Sequence, residues 1–118
     1  MKPLIVYVSA PYSADTEEGR LTNTINAIQA GIGVMQKGHY SLIPHLSHFT
    51  DSYARDVMGV NFTWEQWMAQ DIALLEKCDA ILYLASSKGA DIELAKAKEL
   101  GLQIFYSLDD VPSAEVSE

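Results

Sequence analysis

The residues best suited to chemistry surround a glycine-containing loop that opens into a helix, in the segment 87–101. A helix N-terminus presents free backbone N–H groups and a partial positive charge, so it favours anionic or hydroxyl-bearing ligands. Ser87, Lys88 and Gly89 are therefore candidate ligand contacts. Glu93 follows about one turn into the helix, where its carboxylate is able to point back over the loop. The segment predicts a carboxylate beside an anion-binding loop.

Tyr7 and Asp71 are two further candidates. Tyr7 interrupts an aliphatic strand, and core packing explains it equally well. A buried hydroxyl nevertheless needs a partner, and a carboxylate from a neighbouring loop would serve. Asp71 precedes the strand that leads to the loop, and a solvated helix position is the alternative interpretation. For Glu93 the alternative is a helix-dipole contact of about 0.3–1 kcal/mol.

The predicted elements bring these residues to one edge of a sheet. Strands alternate with helices, which is typical of a parallel sheet. We therefore predict an α/β fold, a small three-layer α/β/α sandwich with a flavodoxin/Rossmann-like parallel sheet of four to five strands. The predicted strands are 4–8, 40–43, 80–85 and 102–106, and the predicted helices run from Thr22 or Asn23 to Lys37, from Thr63 to Lys77, and from the Ser87 loop to Gly101.

Loops at the carboxyl ends of parallel strands form the ligand site of open α/β sheets. The loop after the first strand contributes Ala10, Pro11 and Tyr12, and the loop after the second contributes His45. We predict that all four residues contact substrate. The segment 50–63 is predicted to be a flap or a short helix.

Length and composition limit the classes of function. The 118 residues are predicted to form one domain, 1–108, with an acidic flexible tail, 109–118. A net charge of −8 argues against nucleic-acid and anionic-membrane binding, because both need a basic surface. Apolar runs are shorter than the roughly 20 residues of a membrane span, and the start does not resemble a signal peptide, so a cytoplasmic location is expected.

Cysteine and histidine patterns give little reason to expect a metal. The single cysteine, Cys78, excludes an internal disulfide and any cysteine-based zinc site, and it is interpreted as a core residue. His45 and His48 are three residues apart, but Pro44 predicts a loop there, and no carboxylate completes a usual ligand triad. We therefore expect no metal and no cofactor.

Taken in order, these motifs resemble those of the nucleoside 2-deoxyribosyltransferase superfamily, which includes the 2′-deoxynucleoside 5′-monophosphate N-glycosidases. The resemblance covers about 4–106 of the chain. Its motifs are the Tyr7 strand with Ala10-Pro11-Tyr12, the step from Asp71 to Asp79, and Ser87-x-Gly89-x-x-x-Glu93.

The resemblance implies N-glycosidic bond cleavage or transfer on a (deoxy)nucleoside or nucleoside 5′-monophosphate. It implies that Glu93 is the nucleophile, that Tyr7 orients it, and that Asp71 holds the sugar or the leaving base. Such chemistry fits a carboxylate that stabilises or traps an oxocarbenium-like centre. The superfamily's monophosphate glycosidases carry a basic residue in the loop after the first strand, whereas the nearest cation here is Arg20.

The resemblance also implies a homodimer or higher homo-oligomer, and Met58, Trp64, Trp67 and Met68 are candidate interface residues. The alternative function is a non-catalytic nucleotide or nucleotide-sugar sensor of the same fold, because a fold does not settle activity. A buried Glu93 bonded to Tyr7 and facing an open pocket would favour the enzyme. A filled pocket or an outward-pointing Glu93 would favour the sensor.

Overall fold

Four parallel strands flanked by helices make up the computed structural model, which describes residues 1–114. The predicted α/β sandwich is confirmed, with four strands. In chain order the elements are β1 (Ile5–Ser9), α1 (Glu17–Gln36), β2 (Tyr40–Leu42), a 3₁₀ turn (Pro44–Leu46), α2 (Ser47–Met58), α3 (Trp64–Leu75), β3 (Ala80–Tyr83), α4 (Lys88–Leu100), β4 (Gln103–Phe105) and a second 3₁₀ turn (Leu108–Asp110).

The strand order is β2-β1-β3-β4, and every neighbouring pair is parallel. The chain moves from β1 to β2 in one direction and then crosses back over β1 to reach β3. The order therefore changes direction between β1 and β3, where Tyr7 pairs with Ile81 and Ser9 with Tyr83. A crevice forms at the carboxyl end of such a switch point.

Alternate side chains of β1 pack on opposite faces of the sheet. Val6 joins a buried cluster with Val34 of α1, whereas Tyr7 joins one with Leu75 of α3 and Ala97 of α4. Helix α1 therefore covers one face, and α3 and α4 cover the other. The site residues on α3 and α4 share their face with Tyr7.

Helix α1 begins earlier than predicted, at Glu17 rather than after Thr22 or Asn23. Thr16 is the N-cap, and its Oγ1 accepts a hydrogen bond from the Gly19 amide at 3.0 Å. Glu17 and Glu18 occupy the first turn, where acidic side chains are favourable. The acidic stretch that the pattern left outside the helix is its capped start.

The end of β1 and the segment after β2 also differ in detail from the prediction. Ser9 is the last residue of β1 and is fully buried, although the sequence pattern ended the strand at Val8. The segment 50–63 contains most of α2, and Gly59 is the C-cap of this helix in a left-handed conformation (φ 67°). The short-helix alternative is thus correct, and the helix also takes in His48.

The segment after β4 is fixed against α1, which differs from the predicted flexible tail, 109–118. Val111 is 2% exposed and packs in the cluster of Val6 and Val34. The Lys37 ammonium group donates to the Val111 carbonyl oxygen at 2.8 Å, and the Ala114 amide donates to the Lys37 carbonyl at 2.8 Å. These contacts extend the folded part to 114; the rest of the predicted tail, 115–118, lies outside the described residues.

Within residues 1–114, no helix combines the length and apolar character needed to cross a membrane.

Candidate active site

Glu93 is the centre of the site and is held by two hydroxyl groups. Tyr7 Oη donates a hydrogen bond to Oε2, and Ser9 Oγ donates to Oε1 at 2.8 Å. Tyr7 and Ser9 are two residues apart on β1, so their side chains leave the same face of the sheet. Glu93 lies on α4 and is only 5% exposed. Both carboxylate oxygens are thereby fixed in position.

Burial raises the pKa of Glu93, and the hydrogen bonds from Tyr7 and Ser9 lower it in part. Burial, followed by the neighbouring Glu93 charge, raises the pKa of Tyr7 far above its ordinary range. Tyr7 therefore keeps its proton and acts as a hydrogen-bond donor. The donor arrangement favours the ionised form of Glu93, in opposition to burial.

Asp71 of α3 is the second acidic group of the site. Burial, followed by repulsion from the Glu93 charge, raises its pKa from 3.8 to about 7. Two carboxyl groups whose ionisation is coupled lose their protons in succession rather than together. Asp71 is thus a carboxyl group able to carry a proton near neutral pH.

Glu93 and Asp71 both line a cavity of about 260 Å³. The volume is near the lower end of the range for small-molecule sites, roughly 300–1,000 Å³. Much of the wall is apolar or aromatic. The other lining residues are Ala10, Tyr12, Ser13, Pro44, His45, Ser47, Asp51, Trp64, Trp67, Met68, Ser87, Lys88, Gly89 and Ala90.

The start of α4 forms one wall of this cavity. Ser87 is the N-cap, and its Oγ accepts a hydrogen bond from the Ala90 amide at 3.1 Å. The Lys88 ammonium nitrogen lies 4.5 Å from the centroid of the Trp64 ring, in a cation–π contact. Among the described residues that line the cavity, Lys88 alone has a fully basic side chain, whereas three have carboxylates.

His45 holds the loop after β1 in place. Its Nε2–H donates to the Ala10 carbonyl oxygen at 2.9 Å and lies 3.3 Å from that of Pro11. Because carbonyl oxygens only accept, Nε2 must carry the proton. Burial lowers the pKa of His45, which favours the neutral ring. Within residues 1–114, its buried Nδ1 has no hydrogen-bond partner.

The outer rim of the cavity is polar. Tyr12 Oη and His48 Nδ1 are 2.8 Å apart, so a hydrogen bond links the β1 loop to α2. Trp67 Nε1–H donates to Asp51 Oδ1 at 3.0 Å, which links α3 to α2. Helix α2 is therefore connected to both neighbouring parts of the site.

Comparison with known proteins assigns the chain to a family. A family model described as a domain of unknown function (DUF4406) matches residues 5–106. This chain belongs to the DUF4406 family. No curated protein matches it. The matched range spans the sheet and every residue of the site described above, so the site lies wholly within the DUF4406 domain.

Most of the residues selected from the sequence meet in this DUF4406 chain. The predicted site residues that line the cavity are Ala10, Tyr12, His45, Asp71, Ser87, Lys88, Gly89 and Glu93. Tyr7 lies beneath the cavity and reaches it through Glu93. Pro11 lies beside the wall, with its carbonyl turned to His45.

The sequence interpretation missed Ser9, because it placed the end of β1 at Val8. The available signal was the two-residue spacing from Tyr7, which puts both hydroxyls on one face of the strand. Trp64, Trp67 and Met68, which were selected as candidate interface residues, line the cavity. Their part in a subunit interface stays a prediction.

Proposed function

We propose that this DUF4406 protein cleaves or transfers the N-glycosidic bond of a (deoxy)nucleoside or nucleoside 5′-monophosphate, with Glu93 as nucleophile. The observation that carries the proposal is a buried carboxylate, bonded to Tyr7 and Ser9, that lines an open cavity. A carboxylate held in this way supports attack at an electron-poor carbon, because its two donors fix its direction. The resemblance to the nucleoside 2-deoxyribosyltransferase superfamily supports the same assignment.

In the proposed first step, a Glu93 oxygen bonds to the anomeric carbon as the bond from that carbon to the base nitrogen breaks. Asp71 donates its proton to the departing base, a role that suits a carboxyl group with a pKa of about 7. Water or a second base then attacks the anomeric carbon and gives a proton to the Asp71 carboxylate, as the bond between that carbon and the Glu93 oxygen breaks. Two carboxyl groups with different protonation states are the usual means of glycosidic cleavage.

The cavity wall supports a substrate with a flat apolar part. Trp64, Trp67 and Tyr12 bring three aromatic rings to the cavity, and Met68 adds a polarisable side chain. Aromatic rings bind nucleobases through stacking, at about 1–3 kcal/mol per base. We place the base against this wall and the sugar above Glu93.

The charge of the cavity limits how many phosphate groups the substrate carries. Asp51, Asp71 and Glu93 supply acidic groups, whereas Lys88 supplies the basic one. A single phosphate is able to sit near Lys88 and the first turn of α4, where anions are favoured. A triphosphate would be repelled, so a nucleoside or a monophosphate is the better candidate.

A non-catalytic nucleotide sensor remains the alternative. The open cavity and the inward Glu93 favour the enzyme, since a fixed carboxylate beside a second carboxyl group is an arrangement that acid–base catalysis uses. Burial, followed by the Glu93 charge, raises the pKa of Asp71, and carboxyl groups with raised pKa values cluster at catalytic sites.

The test is base release, followed by chromatography, from a panel of ribo- and deoxynucleosides and their 5′-monophosphates. Each substrate is incubated with and without a second free base. We expect release by the wild-type protein that is lost in Glu93→Ala, and a requirement for the second base would identify a transferase. The matched control is Glu99→Ala, on the same helix but with its side chain 72% exposed. No release from any substrate, with a nucleotide still raising Tm, would favour the sensor.

A further inference from the structure

Helix α1 exposes a row of large apolar side chains on its outer face. Leu21, Ile25, Ile32 and Met35 are 38–59% exposed, and Ile28 lies between them on the same row. The intervals along the chain alternate between four and three residues. This spacing is the heptad pattern of helices that pack against another helix.

Close packing of the inner face of α1 prevents the helix from rotating about its axis to bury the exposed apolar row. Its buried residues are mostly small: Thr24, Ala27, Gly31, Gly33 and Val34. A Cβ atom at Gly31 would lie 2.7 Å from Ile43 Cγ1, and one at Gly33 would collide with Leu108. The backbone of α1 is thus packed closely against its own protein, and the larger apolar side chains have to point outward.

The charge of the row indicates the partner. The segment 21–36 contains no Asp, Glu, Lys or Arg, although the whole chain carries a net charge of −8. A basic partner would be matched by acidic side chains here, and an anionic membrane by basic ones. Neither pattern is present. The acidic residues Glu17 and Glu18 lie before the row, and the residues beside it, Thr22, Asn26 and Gln29, are neutral. An uncharged apolar row is what two copies of an acidic protein need in order to approach each other.

We propose that the outer face of α1 pairs with the same face of a second copy of this chain. A two-fold axis brings the same surface of two copies together. The apolar side chains of this row carry no charge, so two copies of the row are able to pack against each other without charge repulsion. Ile28 is at the centre of the row and lies beside its counterpart on the partner. The interface is separate from the cavity, whose lining residues come from other parts of the chain. The proposal therefore does not depend on the proposed reaction.

Sedimentation velocity across a dilution series provides the first test. We expect the wild-type protein to be a dimer and Ile25→Lys/Ile32→Lys to be a monomer with an unchanged far-UV circular dichroism spectrum. The matched control is Val57→Lys/Met58→Lys on α2, where both side chains are more than 60% exposed, and it should remain a dimer. A monomeric wild type, or a dimer lost only in the α2 variant, would overturn the proposal.

Cysteine cross-linking tests the geometry without disrupting the fold. Ile28→Cys should form a disulfide-linked dimer under mild oxidation, whereas Val57→Cys should not. The native Cys78 is buried and does not compete. Suppose that the wild type is a dimer but that Val57→Cys, and not Ile28→Cys, forms the cross-link. The interface would then lie on α2, and the α1 pairing would be refuted.

Discussion

Ser9 and Tyr7 together determine how readily Glu93 ionises. Each hydroxyl donates to a different carboxylate oxygen, so each opposes the effect of burial on the Glu93 pKa. A hydrogen bond to a charged group contributes about 1.5–3 kcal/mol. Burial raises the pKa of Glu93, and the two hydroxyls limit that rise, so they widen the pH range in which the proposed nucleophile is charged.

Ser9→Ala should raise the pKa of Glu93 further, because one donor to the ionised form is lost. The acidic limb of the pH profile of kcat/KM should move to higher pH. At pH values on that limb, activity should fall about tenfold or more. Ser107→Ala, at an exposed serine far along the chain, is the control and should leave the profile unchanged. An unshifted acidic limb in Ser9→Ala would show that Ser9 does not control the ionisation of Glu93.

Asp71 should make stability depend on pH. Its pKa is about 7 in the folded protein against 3.8 ordinarily, so the folded state binds more protons than the unfolded chain between these values. The stabilisation of the folded state by protonated Asp71 is therefore fully present below about pH 4 and is lost as pH rises through 7. Asp71→Asn cannot ionise and should be more stable than wild type at pH 8, by about 1–2 kcal/mol after allowance for solvent screening.

Urea denaturation of Asp71→Asn and wild type at pH 4 and pH 8 measures this difference. The two proteins should have similar unfolding free energies at pH 4 and different ones at pH 8. Asp109→Asn, at an exposed carboxylate, is the matched control and should show no such pH-dependent gain. Equal stability of Asp71→Asn and wild type at pH 8 would contradict a raised pKa for Asp71.

Helix α1 is positioned by close backbone contact rather than by large side chains. Gly31 lets the helix approach Ile43 so closely that an added methyl group would overlap it. Gly31→Ala should lower the free energy of unfolding by about 1–3 kcal/mol, even though alanine favours a helix by up to about 1 kcal/mol. Gln29→Ala, on the exposed side of α1, should be neutral or slightly stabilising. Chemical denaturation compares the two, and a stabilised Gly31→Ala would refute the tight packing.

The sequence predicted those elements whose ends have local signals. Helix α3 was predicted from Thr63, which is its N-cap. Thr63 and Gln66 form a reciprocal capping box there, with hydrogen bonds of 2.8 and 3.1 Å. The four strands were also predicted, and the two central ones, β1 and β3, have the apolar runs of buried parallel strands. Glu93 was also selected from local signals, because a strand, a loop and a helix N-terminus follow one another directly in the sequence around it.

Features that depend on distant contacts escaped the sequence interpretation. Ser9 is a polar residue that ends an apolar run, and only its bond to Glu93, which is far along the chain, shows that it belongs inside. The polar segment around Val111 was assigned to a tail because its anchors, Lys37 and His39, lie in another part of the chain. Local pattern carries no information on such pairings.

The last described segment, which contains Val111, packs on the same face of the sheet as α1. His39 accepts from the Leu4 amide through Nδ1 at 3.0 Å and donates to the Pro112 carbonyl through Nε2 at 2.6 Å. This histidine joins the start of the chain to its last described segment. The buried side chain of Val111 lies between these anchors and completes the core beneath α1.

Val111→Ala should destabilise the protein by about 2 kcal/mol, because a fully buried side chain loses two methyl groups and leaves a cavity. Base-release activity per folded molecule should not change, since Val111 is on the sheet face opposite α3 and α4. Ser113→Ala, two residues along and exposed, is the control for thermal unfolding. An unchanged Tm in Val111→Ala would show that the segment is not part of the core.

The proposed reaction requires Glu93 to form a covalent bond to the sugar. Its most direct test is to quench the wild-type protein in acid during turnover of a substrate found by base release, digest it, and weigh the peptide that contains Glu93. We predict a peptide heavier by the glycosyl group of the substrate, with the modification on Glu93 and absent from Glu93→Gln. An adduct on another residue, or equally fast base release by Glu93→Gln, would exclude Glu93 as the nucleophile.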